Sequence, residues 1–279
     1  MLGIPVRHLV AHPRDAIPLV AHPRETWTRL YEAYVAGREQ RRPRHLYQPD
    51  PDWDAALHRS LGVTWPCPIR DEFERLWVAV MRELEARGIQ PGPESFRDWN
   101  DGDAGFVRAI WCAIRHRALR TVVETGVAHG VTSRFILEAL EQNGGGHLWS
   151  IDLPPLESEW RAQVAVAVDG KFADRWSYIE GTTRRQLPAL LERVGAIDLF
   201  VHDSLHTQRN VWFELDSAWS LLASGGLVIV DDIDANNAFH LFTTDRAPLR
   251  SFICEAEPLR PDTRRFNQKG LFGIIIRDQ

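Results

Sequence analysis

The sequence predicts an α/β fold. It is an open, doubly wound sheet of seven strands, mainly parallel with an antiparallel last strand, plus an N-terminal, mainly helical cap. Three observations predict it. From residue 105 onward, short β-branched runs alternate with amphipathic segments of helical period, the pattern of a parallel sheet with crossover helices. The stretch Arg120–Ser133, RTVVETGVAHGVTS, sets a strand, a glycine-bearing turn and a helix start in succession. The chain from Glu257 to Gly270 is too short and polar for a crossover helix with its loops, so Ser251–Ala256 and Leu271–Ile276 form an antiparallel pair.

Residues 1–104 form the expected cap or arm and 105–279 the α/β domain. The arm carries Trp27, Trp53, Trp65, Trp77 and Trp99. Val10–Arg14 recurs as Val20–Arg24, and two copies are too few for a solenoid. His12 and His22 within it read either as metal ligands or as solvent-facing residues beside prolines. Trp27, Leu30, Tyr31, Tyr34 and Val35 recur at helical spacing. So do Ile69, Phe73, Leu76, Trp77, Val80, Met81 and Leu84, in a helix closed by Gly88 before the break at Pro91-Gly92-Pro93. Such stripes bury against a core or an interface, and a helical cap can also wall a substrate pocket.

In the second region, Phe106, Val107, Ile110, Trp111 and Ile114 make one face of a helix leading into the first strand. Strands are expected at 121–123, 147–152, 176–180, 197–201 and 227–230. Helices are expected from Ser133, from Trp160 to about Val168, from Gln186 to Val194 and through Val211–Leu222. Ser133 is the expected N-cap of the first of these.

A net charge of -5 argues against a general nucleic-acid binder. No apolar stretch of about 20 residues spans a membrane, and the N-terminus lacks the apolar region of a signal peptide. Cys67, Cys112 and Cys254 are widely spaced and follow no metal pattern, which points to reduced thiols in a cytoplasmic protein.

Ligands of an open parallel sheet bind beyond the carboxyl ends of its strands. That edge collects Glu124, Asp152, Thr182, Asp203, His206, Asp231 and Asp232. Asp152, about 20 residues beyond the glycine turn, suits two ribose hydroxyls, or caps the following segment. Asp203, Asp231 and Asp232 would repel one another unless neutralised, and a hard divalent cation such as Mg²⁺ does this with oxygen ligands. Alternatively, the pair Asp231-Asp232 caps the next segment. His206 reads as a proton acceptor or as a helix-start residue. His202 ranks below it, because it points to the opposite side from Asp203 if the strand continues.

The spacing E-x-G-x-x-x-G at Glu124, Gly126 and Gly130 departs from the G-x-G-x-x-G of dinucleotide binders. It resembles the first motif of class I S-adenosylmethionine-dependent methyltransferases, whose fold is Rossmann-like. HDSLHT at 202–207 and SGGLVIVDDI at 224–233 are similar to the metal-dependent O-methyltransferases of macrolide and aminocoumarin sugar biosynthesis. The resemblance covers about Phe106 to Ile276. It implies S-adenosylmethionine held by Glu124, Gly126, Gly130, Ser133, Asp152 and Thr182, with Glu124 facing the methionine ammonium. It implies Mg²⁺ or another divalent cation on Asp203, Asp231 and Asp232, and His206 as general base with Asp203. Catechol-type relatives usually carry asparagine where Asp232 stands, which favours the sugar-type branch. The expected acceptor is a hydroxylated, possibly glycosylated, small molecule, and a homo-oligomer is expected. A methyltransferase of the same fold that is metal-independent or acts on a phenol or another nucleophile, a nicotinamide-dependent oxidoreductase and a non-catalytic partner subunit are the alternatives.

Overall fold

The structure, a computed structural model, describes residues 20, 23–39, 41–89, 104–248, 250–255 and 270–277. His12, His22, Trp99, Pro91-Gly92-Pro93 and the polar stretch beginning at Glu257 lie outside these residues. Helices α1 (Pro23–Glu39), α2 (Trp53–Leu61), α3 (Arg70–Ala86) and α4 (Ala104–Arg117) precede β1 (Thr121–Thr125). Then come α5 (Val131–Gln142), β2 (His147–Asp152), a single turn α6 (Ser158–Arg161), β3 (Trp176–Glu180), α7 (Thr183–Val194) and β4 (Ile197–His202). The chain ends with α8 (Gln208–Trp219), β5 (Leu222–Val230), α9 (Ala238–Arg246), β6 (Arg250–Glu255) and β7 (Leu271–Ile276).

The seven strands lie in the order β3-β2-β1-β4-β5-β7-β6. The first five are parallel, and β7 runs antiparallel to both β5 and β6. Alternate residues of the central strands feed two cores. Val122, Leu148, Leu199 and Leu227 pack with α3, α4 and α5. Val123, Phe200 and Val228 pack with α7, α8 and α9. This burial on both faces is why the central strands read as continuous apolar runs.

The stripe on α3 is core. Phe135 of α5 meets the rings of Phe73, Trp77 and Trp111 at 5.1, 5.5 and 6.1 Å, contacts worth about 0.5–1.5 kcal/mol each beyond area burial. Helices α2 and α3 therefore share one apolar cluster with the sheet. The stripe on α1 differs: Trp27 is 73% exposed and Tyr34 60%. Polar contacts hold α1 instead. Arg29 Nη2 donates to the Pro154 carbonyl at 2.7 Å, and Glu32 accepts from Arg209 at 3.1 Å.

Several boundaries differ from the sequence expectation. The helix expected from Trp160 to Val168 is only the turn α6. Beyond it the backbone bonds outward, with Ala165 N donating to Ala128 O and Ala167 N to His129 O, both at 2.8 Å. Those bonds compete with a helical ladder and lock 165–167 onto the turn after β1. Helix α9 was not expected. Its apolar residues Ala238, Phe239 and Phe242 fill a short element between polar neighbours. Strand β5 begins at Leu222, through the Ser224-Gly225-Gly226 expected as a turn, with a register irregularity opposite Ile197–Leu199. Gly88 lies one residue past the α3 C-cap Arg87, with φ +78°.

Gly126 is fixed by the chain itself. Its φ is +87°, and a Cβ there would lie 1.8 Å from the Asp203 carbonyl oxygen. Asp203 N donates to Thr125 O at 2.8 Å, so the ends of β1 and β4 meet at this glycine. Gly130 is similar: at φ +83°, its Cβ would come within 3.0 Å of Ala165 Cα and Val168 Cγ2. Gly126→Ala is expected to destabilise the fold with no ligand present, by at least the 1–3 kcal/mol typical of overpacking, roughly. Urea unfolding measures it, and a variant as stable as wild type would contradict the close approach.

Candidate active site

Register places the polar residues of the carboxyl edge side by side. Thr125 pairs with Ile151 and with His202, and His202 with Val230. Asp203 and Asp231, one residue beyond β4 and β5, thus leave adjacent strands as neighbours, with Asp231 N donating to His202 O at 2.9 Å. The loop after β4 folds His206 back over them. Its Nε2 lies 3.9 Å from Asp203 Oδ1 and 3.7 Å from Asp232 Oδ2. Ligand-capable atoms of Asp203, His206 and Asp231 all lie within 4.8 Å of one another. Asp232 borders this group through His206. Its backbone is left-handed, φ 48° and ψ 44°, a conformation aspartate tolerates better than most residues.

Across β1, Glu124 is wholly buried. Its Oε2 accepts from Ser133 Oγ at 2.6 Å and from Ser150 Oγ at 2.7 Å. Its Oε1 has no hydrogen-bond partner among the described residues. Ser133 is therefore not the N-cap of α5. Gly130 is the N-cap, without a side-chain cap bond, and Ser133 lies in the first turn, where it orients Glu124. Asp152 ends β2 and is 4% exposed, so it is a buried acid and not a surface one. Its Oδ1 accepts from Val127 N at 3.4 Å. Thr182 is the N-cap residue of α7 and makes no side-chain cap bond.

Residues 123–233 match the family model described as a methyltransferase domain. The strand order, with its antiparallel β7, is that of the class I methyltransferase fold. A comparison with curated proteins gives no match. Among solved structures, the fold is similar to that of cofactor-bound Rv0187 from MTB, at 18% identity and a TM-score of 0.50, over 84% of this chain and 100% of that one. It is similar to TomG, an O-methyltransferase of Streptomyces achromogenes involved in tomaymycin synthesis and solved with SAM: 16% identity, TM-score 0.50, covering 72% and 89%. It is also similar to an O-methyltransferase of Bacillus cereus solved with SAH: 12% identity, TM-score 0.50, covering 81% and 97%.

The loop that carries Asp203 and His206 hangs on a carboxylate the sequence did not reveal. Glu214 of α8 is wholly buried. Its Oε2 accepts from Thr125 Oγ1 and His202 Nδ1, both at 2.6 Å. Its Oε1 accepts from Ser204 Oγ and Asn210 Nδ2, both at 2.8 Å. Burial pushes this carboxyl up, but the His202 ring and the bonds from His202, Thr125 and Thr183 outweigh it and hold the group down at about 2. The only sequence signal was the spacing of Asn210 and Glu214, four apart and beside the apolar Val211 and Leu215. His202, ranked below His206, is this buried partner.

The cleft between α1 and α8, about 410 Å³ and lined by Tyr31, Tyr34, Arg38 and Trp212 among others, includes none of the expected site residues. Among the described residues no helix is long and apolar enough to cross a membrane.

Glu124 gives the fold a pH signature. Burial pushes its carboxyl up from 4.5 to about 7, against the lowering bonds from Ser133 and Ser150. Between these values the unfolded state has released a proton that the folded state keeps. Stability therefore falls as pH rises through this window, by about 1.4 kcal/mol per pH unit from this group. The ligand-free melting temperature is expected to drop from pH 5 to pH 7 more steeply in wild type than in Glu124→Gln. Parallel curves for the two proteins would contradict the buried, proton-holding carboxyl.

Proposed function

We propose that the protein is an S-adenosylmethionine-dependent O-methyltransferase that uses a divalent cation, Mg²⁺ by preference, and methylates a hydroxyl of a small molecule such as a natural-product sugar. The observation that carries this is the group Asp203, Asp231 and His206, gathered at the ends of adjacent strands in a methyltransferase fold. TomG, solved with SAM, shares that fold.

The residues fit the two groups this chemistry needs. Glu124 offers a buried carboxylate oxygen without a partner among the described residues, suited to the ammonium of the methionine moiety. Asp152 ends β2, and Thr182 lies two residues past β3 as the N-cap of α7, positions suited to the ribose and adenine. Asp203 and Asp231, with Asp232 alongside, offer hard oxygen ligands. A bound cation there offsets the crowded carboxylates and makes an acceptor hydroxyl more acidic.

The chain's own part in the reaction is to orient the acceptor and take its proton. His206 Nε2 accepts the hydroxyl proton, the oxygen forms a bond to the methyl carbon, and the methyl–sulfur bond breaks to leave S-adenosylhomocysteine. A second reading is favoured by the compactness of Asp203, His206 and Asp231: His206 is itself the third cation ligand, and Asp232 is not.

Of the expected cap, α1 lies against the 105–279 domain through Arg29 and Glu32, and its exposed aromatic face, with Trp27, Tyr31 and Tyr34, suits self-association.

S-Adenosylmethionine is expected to raise the melting temperature and NAD to leave it unchanged, with about 2.7 kcal/mol of stabilisation at a hundredfold excess over Kd. The absence of any shift would remove the cofactor assignment. With a hydroxylated acceptor, His206→Ala is expected to lower turnover by about 10²–10⁴. Unchanged Mg²⁺ affinity in that variant assigns the base role, and weakened affinity assigns the ligand role. Full activity after exhaustive chelation would remove the cation altogether.

A further inference from the structure

Two of the three cysteines meet although no spacing in the chain joins them. Cys67 precedes α3, and Cys112 lies on α4 four residues before His116, on the same helical face. His58 belongs to the last turn of α2. The four side chains form one cluster whose ligand-capable atoms all lie within 4.8 Å of one another. Cys67 Sγ is 3.7 Å from Cys112 Sγ and 3.4 Å from His116 Nε2.

We propose that His58, Cys67, Cys112 and His116 bind a structural zinc ion that fastens α2 and the start of α3 to α4. With Zn–S near 2.3 Å and Zn–N near 2.0–2.1 Å, a tetrahedral ion sets two sulfurs about 3.8 Å apart and a sulfur and a nitrogen about 3.6 Å apart. The observed separations lie close to both edges of that tetrahedron.

The histidine furthest inside is prepared as a ligand. His58 is wholly buried, and its Nε2 has no hydrogen-bond partner among the described residues. Its Nδ1–H donates to the Asp54 carbonyl at 2.7 Å and lies 3.3 Å from Asp54 Oδ1. That contact fixes the tautomer and leaves the Nε2 lone pair for a metal, the usual arrangement behind a zinc-bound histidine. Without an ion, that nitrogen is an unsatisfied polar group in the core.

The donor set selects the metal. Two thiolates and two imidazoles favour zinc over the hard cations suited to the carboxylates at the other edge. Two thiolates also neutralise the ion's charge, which suits a buried site. Four protein ligands leave no open position, so the role is structural. Its place agrees: α4 leads into the start of β1, whereas Glu124 and Asp203 lie at the carboxyl ends of the strands.

Protein purified without chelator or oxidant is expected to hold one zinc per chain through dialysis. Stripping that zinc should lower the melting temperature, and adding zinc back should restore it. Reloading with Co²⁺ should give a thiolate-to-metal charge-transfer band and the visible bands of a tetrahedral site. Both signals should vanish in Cys112→Ser and persist in Asp203→Asn, which separates this site from the carboxylate group. Should Cys112→Ser fail to fold, His116→Gln, at a partly exposed position, should fold and lose the tetrahedral cobalt spectrum. Protein that takes up no cobalt with a thiolate band would overturn the proposal. So would a cobalt spectrum unchanged in His116→Gln, or a Cys67–Cys112 disulfide in fresh, metal-free protein.

Discussion

A single carboxylate, Glu214, governs the carboxyl edge of the sheet. It is buried in the interior and accepts from four side chains on three parts of the chain: Thr125 at the end of β1, His202 at the end of β4, and Ser204 and Asn210 on either side of the loop between β4 and α8. A carboxylate left unpaired in that position would be strongly destabilising. With its lone pairs occupied, it sets the geometry of a short loop that would otherwise be free to swing. Asp203 and His206 ride on that loop. Asp231, on the next strand, meets them because β4 and β5 are parallel and in register.

A second constraint keeps the ends of the strands together. The turn after β1 contains two glycines whose reason for being glycine is contact with the protein. Asp203 closes over Gly126, and the segment 165–168 closes over Gly130. The sequence pointed to a ligand as the cause of both. The motif is a packing device as well as the entrance to a cofactor site, and replacing either glycine tests folding before it tests binding. The same contact explains the lost helix at 162–168, since two of its backbone donors, at Ala165 and Ala167, serve the carbonyls of Ala128 and His129.

What could be read in the sequence followed from local pattern. The seven strands, the helices α3, α5, α7 and α8 and the antiparallel last pair are periodic or are marked by turn residues. Strand-end acids could be placed because each follows an apolar run directly. What stayed hidden was long-range. Glu214 looks like any acid on an amphipathic helix until Thr125, 89 residues away, donates to it. Cys67 and Cys112, 45 residues apart, show no metal spacing. The pair Cys112-x-x-x-His116 on one helix was the only local clue. The α1 stripe had the right period, yet much of it faces outward, because period alone does not show whether a partner surface exists.

Amide hydrogen exchange in Glu214→Gln tests the central constraint most directly. Asp203 N–H bonds to Thr125 O, and Asn210 and Val211 N–H bond to Thr207 O, so these amides report on the anchored loop. If Glu214 holds that loop, exchange at 203–211 should accelerate selectively, while the β2–β3 ladder keeps its wild-type protection. Wild-type protection at 203–211 in a folded Glu214→Gln protein would contradict it.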